Sequence, residues 1–150
     1  MNILFCLTPK NDVDIIYDDA SLFKAMQIME QRNYYELPLV SKNDGTFIGT
    51  VSAGDILGCI KENFNLSLKE SADFPVRNVK RIRDYKAVKG NAKIEDIIEV
   101  ILSQNFVPVV DDDNIFIGIV TRGDVIKYMH KNYLNEHPGV HEKAINKDKK

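Results

Sequence analysis

The chain has 150 residues, with 44% hydrophobic and 28% charged side chains, and its 20 basic and 22 acidic groups leave a net charge of −2. That is one domain of ordinary size or two small ones, large enough to fold without disulfides or a metal and too apolar for wholesale disorder. A nearly neutral total argues against a globally basic nucleic-acid binder, so no DNA partner is expected. Cys6 and Cys59 cannot build a disulfide framework or a four-cysteine zinc site, and both are expected to be reduced and buried in a cytoplasmic protein. No run of 18 apolar residues is present and MNILFCLTPKNDVD lacks the flanks of a signal peptide, so no membrane partner is expected.

In chain order, Val13-Asp14-Ile15-Ile16-Tyr17 is a short β-rich run. Asp19 then suits the N-cap of a helix over about 20–32, with Leu22, Met26 and Met29 at helical spacing. A buried strand is predicted over 37–41, with Pro38 near its start, where a missing N–H costs least. Lys42-Asn43-Asp44-Gly45 is a hairpin signal, followed by a strand over 46–51 and a helix over about 53–62. The stretch 63–84 reads as a polar connector with a short helix near 67–73.

The same order then recurs. Asn91 suits the N-cap of a helix whose Ile94, Ile97, Ile98, Ile101 and Leu102 form one apolar stripe. A strand over 106–110 carries Pro108 near its start, Asp111-Asp112-Asp113-Asn114 is the turn, and a strand over 115–120 and a helix over about 122–133 follow. The copies match in detail. FIGTVSAGDIL (47–57) and FIGIVTRGDVI (116–126) share six of eleven residues at an offset of 69. Leu37-Pro38-Leu39-Val40 matches Val107-Pro108-Val109-Val110 at an offset of 70, and Asp19-Ala20-Ser21-Leu22 matches Asn91-Ala92-Lys93-Ile94 at 72. Three ordered matches make the chain two copies of one β-α-β-β-α unit. The expected boundaries are residues 8–62 and 85–133, with 134–150 as a disordered tail.

Each copy sets a hydroxyl three residues before an aspartate at a strand-to-helix junction: Ser52-Ala53-Gly54-Asp55 and Thr121-Arg122-Gly123-Asp124. This pattern is a capping box, in which the hydroxyl takes the N3 amide and the carboxylate reaches back. It is equally a place for a ligand. The helix N-terminus attracts anions, and a neighbouring carboxylate suits ribose hydroxyls. Arg122 can pair with phosphate. The stretch 77–89 carries six cations and one anion, and its Arg83, Tyr85 and Lys86 adjoin the first strand of the second unit. His137 and His141 are separated by Pro138-Gly139, which argues against a metal pair, and no catalytic Cys–His or Ser–His–Asp set can be drawn. Neither a Walker A motif nor a dinucleotide glycine fingerprint occurs.

The two h-P-h-V segments (37–40 and 107–110) and the two G-h-V-[S/T]-x-x-D segments (49–55 and 118–124) resemble a tandem pair of cystathionine-β-synthase (CBS) domains, also called a Bateman module. The resemblance spans about residues 8–132, and several stretches also resemble a small stand-alone subgroup of that family found in Firmicutes. It implies an α/β (α+β) fold of two β-α-β-β-α repeats packed by pseudo-twofold symmetry. It also implies two clefts between the repeats for adenosine-containing ligands: AMP, ADP, ATP, S-adenosylmethionine or cyclic di-AMP. Mg²⁺ would enter only with the nucleotide. Carried over by motif, Ser52 and Asp55 serve one cleft with Leu37 and Pro38. Thr121 and Asp124 serve the other with Val107 and Pro108, aided by Arg122, Arg83, Tyr85 and Lys86. A non-enzymatic, homodimeric regulator that signals to another protein is the expected function. An interaction scaffold without nucleotide binding is the alternative.

Overall fold

The computed structural model describes residues 1–63 and 67–139. The first repeat holds β2 (Ile16–Tyr17), α1 (Leu22–Arg32), β3 (Glu36–Val40), β4 (Phe47–Ser52) and α2 (Ala53–Glu62). After the short helix α3 (Leu68–Ser71), the second holds β5 (Val88–Lys89), α4 (Ile94–Ser103), β6 (Phe106–Val110), β7 (Phe116–Thr121) and α5 (Arg122–Glu136). An additional strand, β1 (Thr8–Pro9), precedes both. The sheets have the orders β2-β3-β4 and β1-β7-β6-β5, with β2 parallel to β3, β5 parallel to β6, and each hairpin antiparallel.

Local chemistry sets these elements, with some differences from the sequence reading. Helix α1 starts two residues later than expected: Ser21, not Asp19, is the N-cap, and its Oγ accepts from Lys24 N at 3.0 Å. Lys93, not Asn91, is the N-cap of α4, where the Asp96 carboxylate accepts from Lys93 N at 3.1 Å. Pro38 and Pro108 are the third residues of their five-residue strands. They are tolerated because β2 and β5 reach only the last two residues of each strand, leaving the proline edge without a neighbouring strand. Leu102 is 77% exposed, off the stripe that buries Ile94, Ile97 and Ile101. Cys59 is buried as expected, but Cys6 is only half-buried. Helix α5 continues through residues 134–136, and the rest of the expected tail from Val140 onward lies outside the described residues.

The two hairpins meet at their turns. Phe47 N donates to Asn114 O at 2.9 Å and Phe116 N to Gly45 O at 3.0 Å, while the Phe47 and Phe116 rings stack 6.2 Å apart. Gly45 and Asn114 hold the same turn position at an offset of 69, both with left-handed backbone (φ 75° and 63°). Glycine and asparagine are the residues that tolerate it.

Each repeat has its own apolar core, and each core is closed by the segment leading into the other repeat. Val76 and Val79 pack with Leu22, Leu37, Val51 and Ile56 of the first, whereas Ile3 packs with Ile94, Val107, Val120 and Val125 of the second. Backbone bonds repeat the exchange: Leu22 N to Phe74 O and Val76 N to Ala20 O on one side, Ile94 N to Met1 O and Ile3 N to Ala92 O on the other. Residues 76–84, read from the sequence as connector, are therefore part of the packed fold. The crossing segments run close over Gly49, beneath Asp84, and over Gly118, beneath Thr8 and Pro9. A Cβ at Gly118 would collide with the Thr8 carbonyl. Gly118→Ala is expected to lower stability by about 1–3 kcal/mol and to raise hydrogen exchange at Thr8 and Ile119, read by urea unfolding and exchange mass spectrometry.

Candidate functional site

The ends of β4 and β7 pass directly into α2 and α5, so both motif pairs sit at helix N-termini. Ser52 Oγ accepts from Asp55 N at 3.0 Å, and Asp55 Oδ2 accepts from Ser52 N at 3.0 Å. Thr121 Oγ1 accepts from Asp124 N at 3.1 Å, while Asp124 Oδ2 accepts from Thr121 N at 3.1 Å and from the Thr121 hydroxyl at 2.6 Å. The capping reading holds in both copies. The carboxylates differ in their second oxygen. Asp55 is buried, and its Oδ1 accepts from Ile82 N at 3.0 Å in the crossing segment. Asp124 is half-buried, and its Oδ1 takes no hydrogen bond among the described residues.

A cavity of about 330 Å³ opens between the repeats at Thr121. Its walls are Pro38, Glu36 and Tyr34 from the first repeat, Asn105, Phe106, Ile119 and Thr121 from the second, Thr8 of β1, and Asp12–Asp14 from the segment between β1 and β2. The motifs pair crosswise: Pro38 faces the Thr121 cleft, not the Ser52 side. Leu37 and Val107 line neither, because alternation along the strand turns both into the cores, where they are fully buried. Three carboxylates, Asp12, Asp14 and Glu36, line this cavity and no lysine or arginine does. Asp14 is paired with Arg32 at 3.3 Å. Beyond Asp124 lies a second cavity, about 630 Å³, lined by Asp124, Lys127, Tyr128 and Lys131 of α5. The matching space beyond Asp55 measures only about 120 Å³.

Tyr85 sits where the matching cleft on the Ser52 side would open. It is 5% exposed, with its ring edge-on to Phe106 at 4.9 Å. Its backbone N–H donates to Thr50 Oγ1 at 3.2 Å, its hydroxyl donates to Glu36 Oε2, and it accepts from Asn105 N at 3.2 Å. Asn105 Nδ2 also donates to Glu36 Oε2 at 3.0 Å. Burial, reinforced by the hydrogen bond to the Glu36 carboxylate, pushes the Tyr85 phenol up to about 12.

Arg122 is not placed for phosphate. Its Nε donates to Ile101 O and its Nη2 to Gln104 O, both at 3.1 Å, closing the C-terminal carbonyls of α4. Arg83 and Lys86 line a different hollow, of about 710 Å³, against Glu99, Leu102 and Ser103 of α4. So of the predicted site residues, the structure gathers Thr121 and Pro38 at one open cleft with Asp124 behind it. It pins Ser52 and Asp55 under the crossing segment and uses Tyr85 as packing. Pro108 is buried opposite Ile119, and Leu37, Val107, Arg122, Arg83 and Lys86 point elsewhere.

Residues 7–62 and 76–131 each match the CBS domain. The chain belongs to the CBS domain family. The crystal structure of CbpB in complex with c-di-AMP superposes with a TM-score of 0.79 over 91% of both chains at 23% identity. That of CBSX2 of Arabidopsis thaliana in complex with AMP does so with a TM-score of 0.70 over 88% of this chain and 98% of that one, at 22% identity. The uncharacterized protein MJ1225 of Methanocaldococcus jannaschii is 27% identical over 123 residues covering 75% of this chain, which spans 44% of that relative's length. The fold is thus a mixed α/β pair of CBS repeats. No helix among the described residues is long and apolar enough to cross a membrane.

Sequence reasoning missed Glu36, Asn105 and Gln104, residues that join or brace the CBS repeats. Gln104 is buried; its Oε1 accepts from Lys86 N at 2.8 Å and its Nε2 donates to Phe106 O at 3.1 Å, which extends the β5–β6 pairing by one side chain. One signal was in reach: Glu36 and Asn105 are the polar residues directly before the apolar runs 37–40 and 106–110. Two outcomes follow from these contacts. Arg122→Ala is expected to lower stability by about 1–2 kcal/mol without changing the ratio of AMP to adenosine affinity, read by urea unfolding and calorimetric titration. Tyr85 ionises near 10 when unfolded and near 12 when folded, so its stabilisation is intact below pH 10 and lost as pH rises from 10 to about 12. That loss is expected to be on the order of 2 kcal/mol, and comparison with Tyr85→Phe, which lacks it, isolates the contribution.

Proposed function

We propose that this CBS pair is a non-catalytic, cytoplasmic ligand sensor that takes an adenine nucleotide between its repeats and reports occupancy to a partner protein. The open cleft at Thr121 carries the reading. Its size matches the lower range of small-molecule sites, roughly 300 Å³, and its walls combine apolar faces (Pro38, Ile119, Phe106) with the Thr121 hydroxyl at a helix N-terminus, while the Asp124 carboxylate lies behind it in the hollow along α5. The free oxygen of Asp124 suits a ribose hydroxyl. The complexes of CbpB with c-di-AMP and of CBSX2 with AMP support the same ligand class.

The charge distribution orients the ligand. Three carboxylates in the cleft repel phosphate, whereas Lys127 and Lys131, one turn apart on α5, attract it beyond Asp124. The adenosine portion therefore occupies the cleft and the phosphates of AMP, ADP, ATP or cyclic di-AMP lie toward α5, with Mg²⁺ only as a companion of the nucleotide. A homodimer fits the exposed stripe Ile126, Met129 and Tyr133 on α5 and the matching Leu57 on α2. A second copy would cover it.

Thermal unfolding against adenosine, AMP, ADP, ATP, cyclic di-AMP and GMP, with and without Mg²⁺, tests the reading. A ligand at 100 times its Kd adds about 2.7 kcal/mol to the native state, a rise of roughly 5–10 °C for this chain length. An adenine compound is expected to give that rise and GMP none. Asp124→Asn should remove most of the shift, and the double variant Lys127→Ala/Lys131→Ala should weaken AMP about tenfold while sparing adenosine. No shift with any adenine compound would leave the interaction scaffold as the function.

A further inference from the structure

The two clefts begin as copies and end differently. Structural register places Val13 and Tyr85 at the same position, three residues before Ile16 of β2 and Val88 of β5. On the Thr121 side the position is a half-buried valine, and a cavity of about 330 Å³ remains. On the Ser52 side it is a tyrosine lying between Thr50, Glu36, Asn105 and Phe106. Glu36 pairs with Ser52 across the β3–β4 ladder, so the phenol tip reaches the height of the Ser52 junction. An apolar ring with one polar end, held by a carboxylate and an amide, has the character of a bound ligand.

We infer that Tyr85 is an internal occupant of the Ser52 cleft, and that its side chain fills the space a second nucleoside would take. Its hydrogen-bond partners extend the consequence. Glu36 and Asn105 hold the Tyr85 hydroxyl and also line the open cleft. Any ligand that takes either group at the Thr121 side therefore competes with the contact that keeps the other side closed.

The inference borrows only the ligand class from the proposed function, and the two fail separately. Tyr85→Val installs the residue that the first repeat carries at the same position. Equilibrium dialysis with adenosine is expected to give one more bound molecule per chain for Tyr85→Val than for the wild type. Tyr85→Phe, which keeps the ring, should bind the wild-type number. A folded Tyr85→Val chain with an unchanged count overturns the inference, and so does a gain in Tyr85→Phe. Should Tyr85→Val fail to fold, Val13→Tyr decides: it is expected to fill the open cleft and remove one site, and an undiminished count overturns the inference. A wild-type chain that binds neither adenosine nor any adenine nucleotide refutes the proposed function alone. The first site must then appear in Tyr85→Val, and its absence overturns the plug as well.

Discussion

The exchange of core-closing segments is the constraint on which the rest of the molecule depends. Val76 and Val79 complete the first core on the way to the second repeat, and Ile3 completes the second core on the way to the first. Burying each such side chain is worth about 1.5–3 kcal/mol, so neither repeat is complete from its own five elements. The exchange also draws the crossing segments over β4 and β7, the strands that end in the hydroxyl–carboxylate junctions. Gly49 and Gly118 permit that approach because neither carries a side chain where the segment passes. The clefts between the repeats are therefore walled partly by chain that belongs to neither strand pair.

That wall is where pseudo-symmetry breaks. Both junctions keep the capping box, because both helices need it whatever else the site does. The crossing segments have diverged. Around residues 80–85 the segment donates Ile82 N to Asp55, accepts Thr50 N on Asp84 at 3.0 Å and inserts Tyr85. Around residues 8–13 it forms the two-residue strand β1 against β7 and leaves Asp124 half-exposed beside a hollow lined with lysines. One junction is consumed by the protein's own polar groups, and at the other Asp124 keeps one carboxylate oxygen without a hydrogen bond among the described residues.

The repeat, its element order and both capping junctions were legible because they are local. Periodicity, turn residues and a hydroxyl three before a carboxylate act over a few residues and recur at a nearly constant offset. What was not legible is long-range. Nothing in the h-P-h-V spacing says that Pro38 meets Thr121 from the other repeat, since the pairing arises from how the sheets face each other. Alternation along the strand would have assigned Leu37 and Val107 to the core, on the side opposite to their neighbouring prolines. Arg122 was misread for a physical reason. A guanidinium beside a helix N-terminus looks available to an anion, but the orphan carbonyls at the end of α4 lie within its reach and satisfy it first.

The Glu36–Tyr85–Asn105 contact also limits how occupancy can be signalled. A ligand shifts a conformational equilibrium only through different affinity for its states, so the residues that matter are those whose partners change on binding. Glu36 begins β3 of one repeat, Asn105 precedes β6 of the other, and Tyr85 comes from the segment that crosses between them. The hairpin turns and their stacked phenylalanines join the repeats at a second place. A rotation of one repeat against the other can pivot at those turns while making or breaking the carboxylate–phenol bond. Under the proposed function, the angle between the repeats is the quantity that a ligand at Thr121 would set, and α5, which is capped by that residue and carries an exposed apolar stripe, is the element through which a partner would read it.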